Sequence, residues 1–137
     1  MVLVVGGGEG VGSLSNIVDA LYVTLAKRGI DVTLAVVCGR NEKLRKELQS
    51  KDWDRVLEKV KKSKMKKFLD FVSFGKRNKK TDSVPQKDTV GKVEVKALGF
   101  VSNMASYMVA SDVLVSKAGP GTIAEAASLG LPIMLTR

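Results

Sequence analysis

The chain has 137 residues, of which 45% are hydrophobic and 27% are charged, a balance that is typical of one globular domain and excludes a disordered or fibrous protein. Its single cysteine, Cys38, excludes an intramolecular disulfide, and no apolar run is long enough to span a membrane. The net charge of +9 is concentrated in one segment, because residues 51–93 hold 14 Lys or Arg against 6 Asp or Glu, a balance of +8 that leaves +1 for the rest.

The first forty residues predict two buried strands separated by a helix. Val2–Val5 and residues 31–38 are short runs of β-branched and apolar residues, which are typical of strands buried on both faces in a parallel sheet. Between them, apolar residues recur at helical spacing, with Ser13 or Ser15 as the predicted N-cap and Gly29 at the C-terminal end. This order predicts a β-α-β unit with a right-handed crossover.

After a short polar helix, residues 51–92 form a lysine-rich segment that predicts a basic, partly disordered insertion. Its first part, residues 53–74, has a partial apolar stripe and is predicted to be helical, with Trp53 and Phe68 in core packing rather than base stacking. Polar residues and a proline crowd its second part. A segment of this kind is either a solvated loop or a surface for the phosphates of nucleic acid or anionic lipid.

A second series of alternating strands and helices follows the basic segment. Strands are predicted over residues 93–98, 112–116 and 131–135, and helices over residues 103–110 and 122–129. Strands that alternate with helices along the chain predict an α/β fold built as a doubly wound parallel sheet. In such a fold, ligands bind at the carboxyl ends of the strands.

Two glycine-containing loops lie where this fold binds ligands. The first, residues 6–12 (GGGEGVG), connects the first strand to its helix, and five of its seven residues are glycine. Glycines let backbone N–H groups approach a diphosphate at the positive end of a helix, although they also suit a simple tight turn. The spacing matches neither the dinucleotide fingerprint nor the P-loop, so it indicates a phosphate site without naming the ligand.

The second loop, residues 117–121, also lies between a strand and a helix. Thr122 is suited to be the N-cap of that helix, and Glu125, three residues on, would complete a capping box. The same carboxylate also suits the vicinal hydroxyls of a ribose, because an ionised carboxylate accepts two hydrogen bonds. The spacing alone leaves both interpretations of Glu125 open.

Several segments resemble a known enzyme family in their amino-acid sequence. Residues 99–101, Met104 and residues 111–125 (SDVLVSKAGPGTIAE) are similar to the carboxyl-terminal domain of glycosyltransferase family 28, which has the two-domain, Rossmann-like GT-B fold. Within that family, the greatest similarity is to plant and algal monogalactosyldiacylglycerol synthases, in residues 6–10 (GGGEG), 38–41 (CGRN), 52–53 (DW) and 117–126 (KAGPGTIAEA). The resemblance covers roughly residues 1–50 and 93–137.

The resemblance implies that UDP-galactose, the donor substrate, lies across the carboxyl ends of the strands, with no cofactor and no metal ion. The residues that it assigns to the nucleotide sugar are Gly8, Glu9 and Gly10 near the diphosphate, Phe100 and Val101 at the uracil, Gly119, Pro120 and Thr122 near the phosphates, and Glu125 at the ribose. The implied reaction is an inverting displacement, in which a hydroxyl of diacylglycerol attacks the anomeric carbon as UDP leaves. The implied location is a plastid membrane, with peripheral binding to its anionic surface and no nucleic-acid partner.

In the family, the general base and the acceptor-binding lobe come from an amino-terminal domain that has no counterpart in this chain, which also contains no histidine. The sequence stops before the Gln-Glu turn that contacts the sugar in family members. We therefore expect a nucleotide-sugar-binding domain over residues 1–137 that is incomplete at its C-terminus, with the catalytic residues supplied from outside it. A split enzyme, with a partner chain carrying the other lobe, meets the same expectation.

Two other functions remain open on the sequence. One is the soluble subunit of a split UDP-N-acetylglucosaminyltransferase, which would have the same nucleotide site. The other is a basic module that binds nucleic acid or lipid headgroups through residues 51–92. A UDP-sugar epimerase is disfavoured, because the chain does not display the acid and base residues that such an enzyme places beside the sugar ring.

Overall fold

The computed structural model describes residues 1–6, 11–74, 89–117 and 119–136. Five strands and five helices make up this part of the chain. The strands are β1 (Val2–Val5), β2 (Val32–Val37), β3 (Val93–Leu98), β4 (Val113–Ser116) and β5 (Ile133–Leu135). The helices are α1 (Val11–Lys27), α2 (Glu42–Ser50), α3 (Trp53–Phe74), α4 (Met104–Val109) and α5 (Pro120–Ser128).

All five strands pair in parallel, in the order β3-β2-β1-β4-β5. Val5 of β1 aligns with Val37 of β2 on one side and with Ser116 of β4 on the other. The register continues outward, where Val37 pairs with Leu98 and Ser116 with Leu135. The carboxyl ends of the strands therefore lie along one edge of the sheet, and the predicted parallel α/β fold is confirmed.

Helices cover both faces of this sheet, as the doubly wound prediction requires. Val2 and Val4 of β1 belong to a core cluster shared with α1, α2 and α3, whereas Leu3 belongs to a second cluster shared with α4 and α5. Successive side chains of a strand point to opposite faces, so a sheet covered on both sides needs apolar residues at every position. Burial of each large apolar side chain contributes about 1.5–3 kcal/mol to folding.

The start of α1 differs from the prediction. The helix begins at Val11, so neither Ser13 nor Ser15 is its N-cap. Ser15 is instead a buried helical residue, whose hydroxyl donates to Oε1 of Glu47 on α2 at 2.7 Å. The predicted end of α1 is confirmed, because Gly29 adopts a φ of +71°, a left-handed conformation that glycine tolerates best.

The start of α5 also differs from the prediction. The helix begins at Pro120 and has Gly119 as its N-cap, which places Thr122 inside the first turn. The predicted capping box of Thr122 and Glu125 is therefore wrong. The physical reason is that proline suits the first helical position, since its φ is already helical and the N–H that it lacks would have no intrahelical partner.

The predicted helix over residues 53–74 is confirmed as α3, and its first half belongs to the core. The Trp53 ring lies 4.7 Å from the ring of Tyr22 on α1, and its indole N–H donates to the carbonyl of Leu48 at 3.1 Å. Val60, two turns further along α3, is buried, with only 3% of its surface exposed. The expectation of core packing is therefore correct for Trp53.

Core packing does not continue along the second half of α3. Phe68 is 38% exposed, so the expectation that it packs in the core is wrong. Every residue from Met65 to Ser73 is exposed, so the helix itself leaves the core before it reaches Phe68. The next part of the basic segment, residues 75–88, lies outside the described residues.

Candidate functional site

The candidate site lies between the carboxyl ends of β1 and β4. These strands are neighbours, yet the helices that follow them pack on opposite faces, α1 through Leu14 and Val18 and α5 through Ala126. A doubly wound sheet opens a crevice where adjacent strands lead to opposite faces. The amino-terminal ends of α1 and α5 flank this crevice with backbone N–H groups and the positive ends of two helix dipoles, which favour an anion.

The first glycine loop leaves β1 at this crevice. A Cβ atom added to Gly6 would lie 2.4 Å from Cδ2 of Leu14, so glycine at this position lets the strand end approach α1 closely. Gly8, Glu9 and Gly10 lie outside the described residues. Their place beside a diphosphate therefore stays a prediction, and α1 begins at the residue directly after them.

The second glycine loop leaves β4 and forms the start of α5. Gly119 has a φ of −101°, and no atom of the described residues lies within 4 Å of a Cβ added at Gly119 or Gly121. Neither backbone strain nor internal packing therefore requires glycine at these two positions. A side chain at either would occupy the open space at the start of α5, where Pro120 is exposed and Thr122 is half-buried.

Glu125 lies one turn beyond Thr122 on α5 and is exposed. Its backbone carbonyl accepts a hydrogen bond from the Ser128 hydroxyl at 2.7 Å. Its carboxylate forms no ion pair or hydrogen bond within the described part of the chain. Because no capping box occupies this carboxylate, it is available to a ligand at the start of α5.

A third part of the site follows β3 at the edge of the sheet. Phe100 is 72% exposed, and the guanidinium carbon of Arg40 lies 6.0 Å from the centre of its ring, within cation–π range. Val101 is half-buried and packs against the cluster shared with α4 and α5, which fixes the turn beneath the exposed ring. An exposed phenyl face beside a cation is suited to stacking a planar base.

Apart from Gly8, Glu9 and Gly10, which lie outside the described residues, the predicted residues lie along one edge of the sheet, but at different strands. Three strand intervals separate β3 from β4, which corresponds to about 14 Å at the usual strand spacing. Phe100 lies at one end of this distance, and Gly119 and Pro120 at the other. The edge therefore offers an aromatic surface and a glycine-bordered helix end along one line, which a nucleotide could bridge.

Two basic residues near Phe100 were not predicted as site residues. Arg40 is one, and Arg45 on α2 is the other. Arg45 lies against the turn after β3, because its Nη1 would be 3.3 Å from a Cβ added at Gly99. Its Nη1 also lies 3.4 Å from Oε1 of Glu42, while its buried Nε has no hydrogen-bond partner among the described residues. The signal that could have identified both is their place after a buried parallel strand, with Arg40 in the loop after β2 and Arg45 on the helix that follows, since this fold binds anions at that end of its strands.

Cys38 lies at the same edge but is unsuited to nucleophilic chemistry. Burial raises the pKa of its thiol above the ordinary value, Arg45 opposes this shift, and Glu42 reinforces it. The thiol is therefore protonated at neutral pH and a weak nucleophile. In the described residues, no group of three His, Cys, Asp or Glu side chains could hold a metal ion. That the reaction needs no metal or cofactor stays a prediction.

No helix in the described part of the chain combines the length and the apolar character that crossing a bilayer requires.

The fold and the edge described above define a Rossmann-like α/β domain. Residues 49–136 match the model of the glycosyltransferase family 28 C-terminal domain, which is more than half of the chain. The chain belongs to this family, as the resemblance in its sequence predicts.

The relatives found by sequence similarity are galactolipid synthases by name. Monogalactosyldiacylglycerol synthase 1, chloroplastic, of Arabidopsis thaliana is 33% identical over 138 residues, which cover 98% of this chain and 19% of that protein. The probable monogalactosyldiacylglycerol synthase of Nicotiana tabacum is 35% identical, with 98% and 18% covered. The corresponding synthase of Spinacia oleracea is 34% identical, with 98% and 19% covered.

These alignments span about a fifth of the relatives' length. Because they cover 98% of the chain, they include residues 51–92, of which the resemblance in the sequence took in only Asp52 and Trp53. That boundary of the resemblance is therefore corrected. Among solved structures, a universal stress protein family member from Burkholderia pseudomallei shows 9% identity and a TM-score of 0.36, with 98% of this chain and 94% of that chain covered, which is too weak to support any argument.

Proposed function

We propose that the chain is the donor-binding part of an inverting galactosyltransferase that transfers galactose from UDP-galactose to the 3-hydroxyl of 1,2-diacylglycerol. Membership of a glycosyltransferase family supports the general reaction, and the names of the relatives support the galactolipid product. The chain would bind the donor, while the general base and most of the acceptor site would come from outside residues 1–137.

One observation carries this proposal, namely the crevice between β1 and β4 with the starts of α1 and α5 on its two sides. Two helix ends that converge on one point form a site for a diphosphate, which carries more charge than one helix end compensates. The open space at Gly119 and Gly121 supports the same interpretation, because a phosphate can approach the backbone there without meeting a side chain.

The chemistry asked of this chain is stabilisation of the leaving group. As the bond between the anomeric carbon and the diphosphate oxygen breaks, negative charge grows on UDP. Prearranged N–H groups at the two helix ends would stabilise that charge more in the transition state than in the bound donor. Phe100, together with Arg40, would hold the uracil, and Glu125 would bind the ribose, so that the sugar is positioned for attack from its opposite side.

Titration calorimetry on the purified chain tests the donor site. We expect UDP and UDP-galactose to bind with a stoichiometry of one. An absence of heat with every uridine nucleotide would contradict the proposal. Tighter binding of UDP-N-acetylglucosamine than of UDP-galactose or UDP-glucose would favour the split N-acetylglucosaminyltransferase instead.

The acceptor and the location belong to the same proposal. The relatives are named as chloroplastic proteins, which supports a plastid membrane as the place of action, with diacylglycerol drawn from that membrane. Affinity purification of the tagged chain from its native cells tests whether a separate partner supplies the other lobe. A stoichiometric partner would indicate a split enzyme, whereas recovery of the sequence within a longer polypeptide would indicate one two-domain enzyme.

A further inference from the structure

The outer half of α3, residues 61–74, leaves the core and exposes apolar side chains. Val60 is the last buried residue of the helix, and every residue from Met65 to Ser73 is exposed. The exposed fractions are 58% for Met65, 38% for Phe68, 55% for Leu69, 51% for Phe71 and 49% for Val72. The described part of the chain therefore leaves this half of the helix without a packing partner.

Four of these side chains form one continuous stripe. Met65, Phe68, Leu69 and Val72 are spaced at i, i+3, i+4 and i+7, which places them on one face of the helix. A short helix gains little stability from its own backbone hydrogen bonds in water, so it depends on a surface that covers its apolar face. The outer half of α3 therefore indicates a missing partner with an apolar component.

Lysines surround the same stripe. Residues 59–67 hold six lysines in nine positions and no acidic residue, the six being Lys59, Lys61, Lys62, Lys64, Lys66 and Lys67. One of them, Lys61, lies 3.2 Å from Glu58, and both side chains are at least half exposed. The ammonium of Lys64 is buried and has no hydrogen-bond partner among the described residues, so the exposed positive charge comes from the other five lysines. The partner surface must therefore be anionic as well as apolar.

The composition of the next segment argues against a cover from within the chain. Residues 75–88 contain only Val84 and Pro85 as apolar side chains beyond a single glycine. They also hold five Lys or Arg against two Asp, so their charge has the same sign as that of the helix. The sequence that follows α3 thus supplies neither the apolar side chains nor the negative charge that its outer half needs.

We propose that the outer half of α3 is an interfacial helix that lies in the headgroup region of an anionic membrane. Met65, Phe68, Leu69 and Val72 enter the boundary of the acyl chains, while the lysines extend their apolar stems along the same surface and place their ammonium groups on lipid phosphates. This inference goes beyond the donor site and rests on the proposed function only for its setting, the use of a lipid acceptor.

A membrane fits α3 better than RNA or an acidic protein does. RNA would account for the lysines and for stacking on Phe68, but it offers no apolar layer for Met65, Leu69 and Val72. An acidic protein groove would account for both features, yet it would have to match the stripe in shape. A lipid surface supplies phosphates and an apolar layer without shape matching, and it accepts a stripe that is flanked by lysines along its length.

Cosedimentation with lipid vesicles tests the inference on the full chain. We expect binding to vesicles of equal parts phosphatidylserine and phosphatidylcholine, and little binding to phosphatidylcholine alone. The double variant Leu69→Gln/Val72→Gln should lower the partition coefficient by about tenfold, because it removes half of the stripe. The triple variant Lys62→Gln/Lys66→Gln/Lys67→Gln should lower it by about a hundredfold.

Matched variants control for general loss of charge or apolar surface. Val109→Gln/Met134→Gln changes two residues that are 70% and 54% exposed elsewhere, and Lys27→Gln/Lys43→Gln/Lys46→Gln removes three exposed lysines outside α3. Both should retain wild-type partitioning within about twofold, since neither touches the helix that enters the interface. Circular dichroism should show that every variant keeps its fold.

Two outcomes would overturn the inference. One is wild-type protein that fails to bind the phosphatidylserine vesicles. The other is a stripe variant that binds them as tightly as wild type, which would assign the lysines to nucleic acid or to an acidic protein. UDP calorimetry on the same samples tests the donor proposal separately. The α3 variants should bind UDP with wild-type affinity even where they lose vesicle binding. If wild-type protein does not bind UDP, the donor proposal fails while the vesicle result still stands.

Discussion

Phe100 and Glu125 expose functional groups at the edge where the strands end. Phe100 is 72% exposed, although the next residue, Val101, packs against the core cluster. The turn therefore lies close enough to the core for a side chain to reach it. An exposed phenyl ring forgoes about 1.5–3 kcal/mol of burial, which contact with a base would recover. At the residue scale, the exposure of these two side chains is therefore the reason to test them for ligand contact.

Glu125→Ala tests this interpretation at one carboxylate. We expect UDP binding to weaken by about 1–3 kcal/mol, the usual loss when a charge-assisted hydrogen bond is removed. Calorimetry measures the change, and Glu94→Ala is the control, because Glu94 is also exposed but lies near the amino-terminal end of β3. Equal affinity in both variants would remove Glu125 from the site.

At the scale of elements, Gly91 is closely packed and Gly119 is open to solvent, so the first glycine serves the fold and the second is free to serve the candidate site. A Cβ at Gly91 would lie 2.4 Å from both the backbone nitrogen and the oxygen of Ile30, where the chain enters β3 beside the end of α1. A Cβ at Gly119 would meet no atom of the described part of the chain within 4 Å. Glycine is thus needed for packing at the first position and not at the second.

The paired variants Gly91→Ala and Gly119→Ala should therefore separate stability from binding. Gly91→Ala should lower the free energy of unfolding by about 1–3 kcal/mol, since the backbone of Ile30 must move. Gly119→Ala should lower the free energy of unfolding by less than about 1 kcal/mol, because alanine is a poorer N-cap than glycine, and should weaken UDP binding, because its methyl group fills the approach to α5. Urea denaturation and calorimetry measure the two effects. A Gly119→Ala protein with wild-type affinity would show that no ligand contacts that turn.

The helices also show which features a single sequence can specify. The existence of α1, α3 and α5 was predictable, because each has apolar residues at helical spacing. The starts of α1 and α5 were misplaced because Ser15 and Thr122 are good N-caps in isolation, whereas α1 begins at Val11 and the Gly119–Pro120 pair begins α5. The exposure of Phe68 was missed because helical spacing does not reveal where a helix leaves the core.

At the scale of the whole molecule, the parallel sheet was predictable and its strand order was not. Unbroken apolar strands between helices imply a sheet buried on both faces. The order β3-β2-β1-β4-β5 depends on pairing between β1 and β4, which no local pattern encodes. The same logic predicts a site at two loops, which stays a prediction, and it does not include Arg40, because the approach of Arg40 to Phe100 depends on the pairing of β2 with β3.

Stability at high pH should depend on the contact between α1 and α3. Burial raises the pKa of Tyr22 above its ordinary value of 10.0, with a further contribution from the charge of Asp54. The neutral hydroxyl, which donates to the carbonyl of Trp53 at 3.3 Å, is therefore favoured in the folded state. A raised folded pKa gives stability that is full below pH 10 and is lost as the pH rises through the folded pKa.

Tyr22→Phe should remove this dependence. Below pH 10 the variant should be less stable than wild type by about 0.5–1.5 kcal/mol, the usual value of one hydrogen bond, and the difference should shrink or reverse at higher pH. Urea denaturation across the alkaline range measures it, with Tyr107→Phe as the control for the other tyrosine. A constant difference between Tyr22→Phe and wild type would contradict the assignment.

The central place of β1 has a consequence for how the protein acquires its fold. Val2 pairs with Leu34 on one side and with Val113 on the other, so the strand made first obtains its second neighbour only after most of the domain has been synthesised. Until then one edge of β1 presents unpaired amide groups to other chains. Contacts between such distant parts of a sequence slow folding, so we expect the nascent domain to rely on chaperones until β4 has left the ribosome.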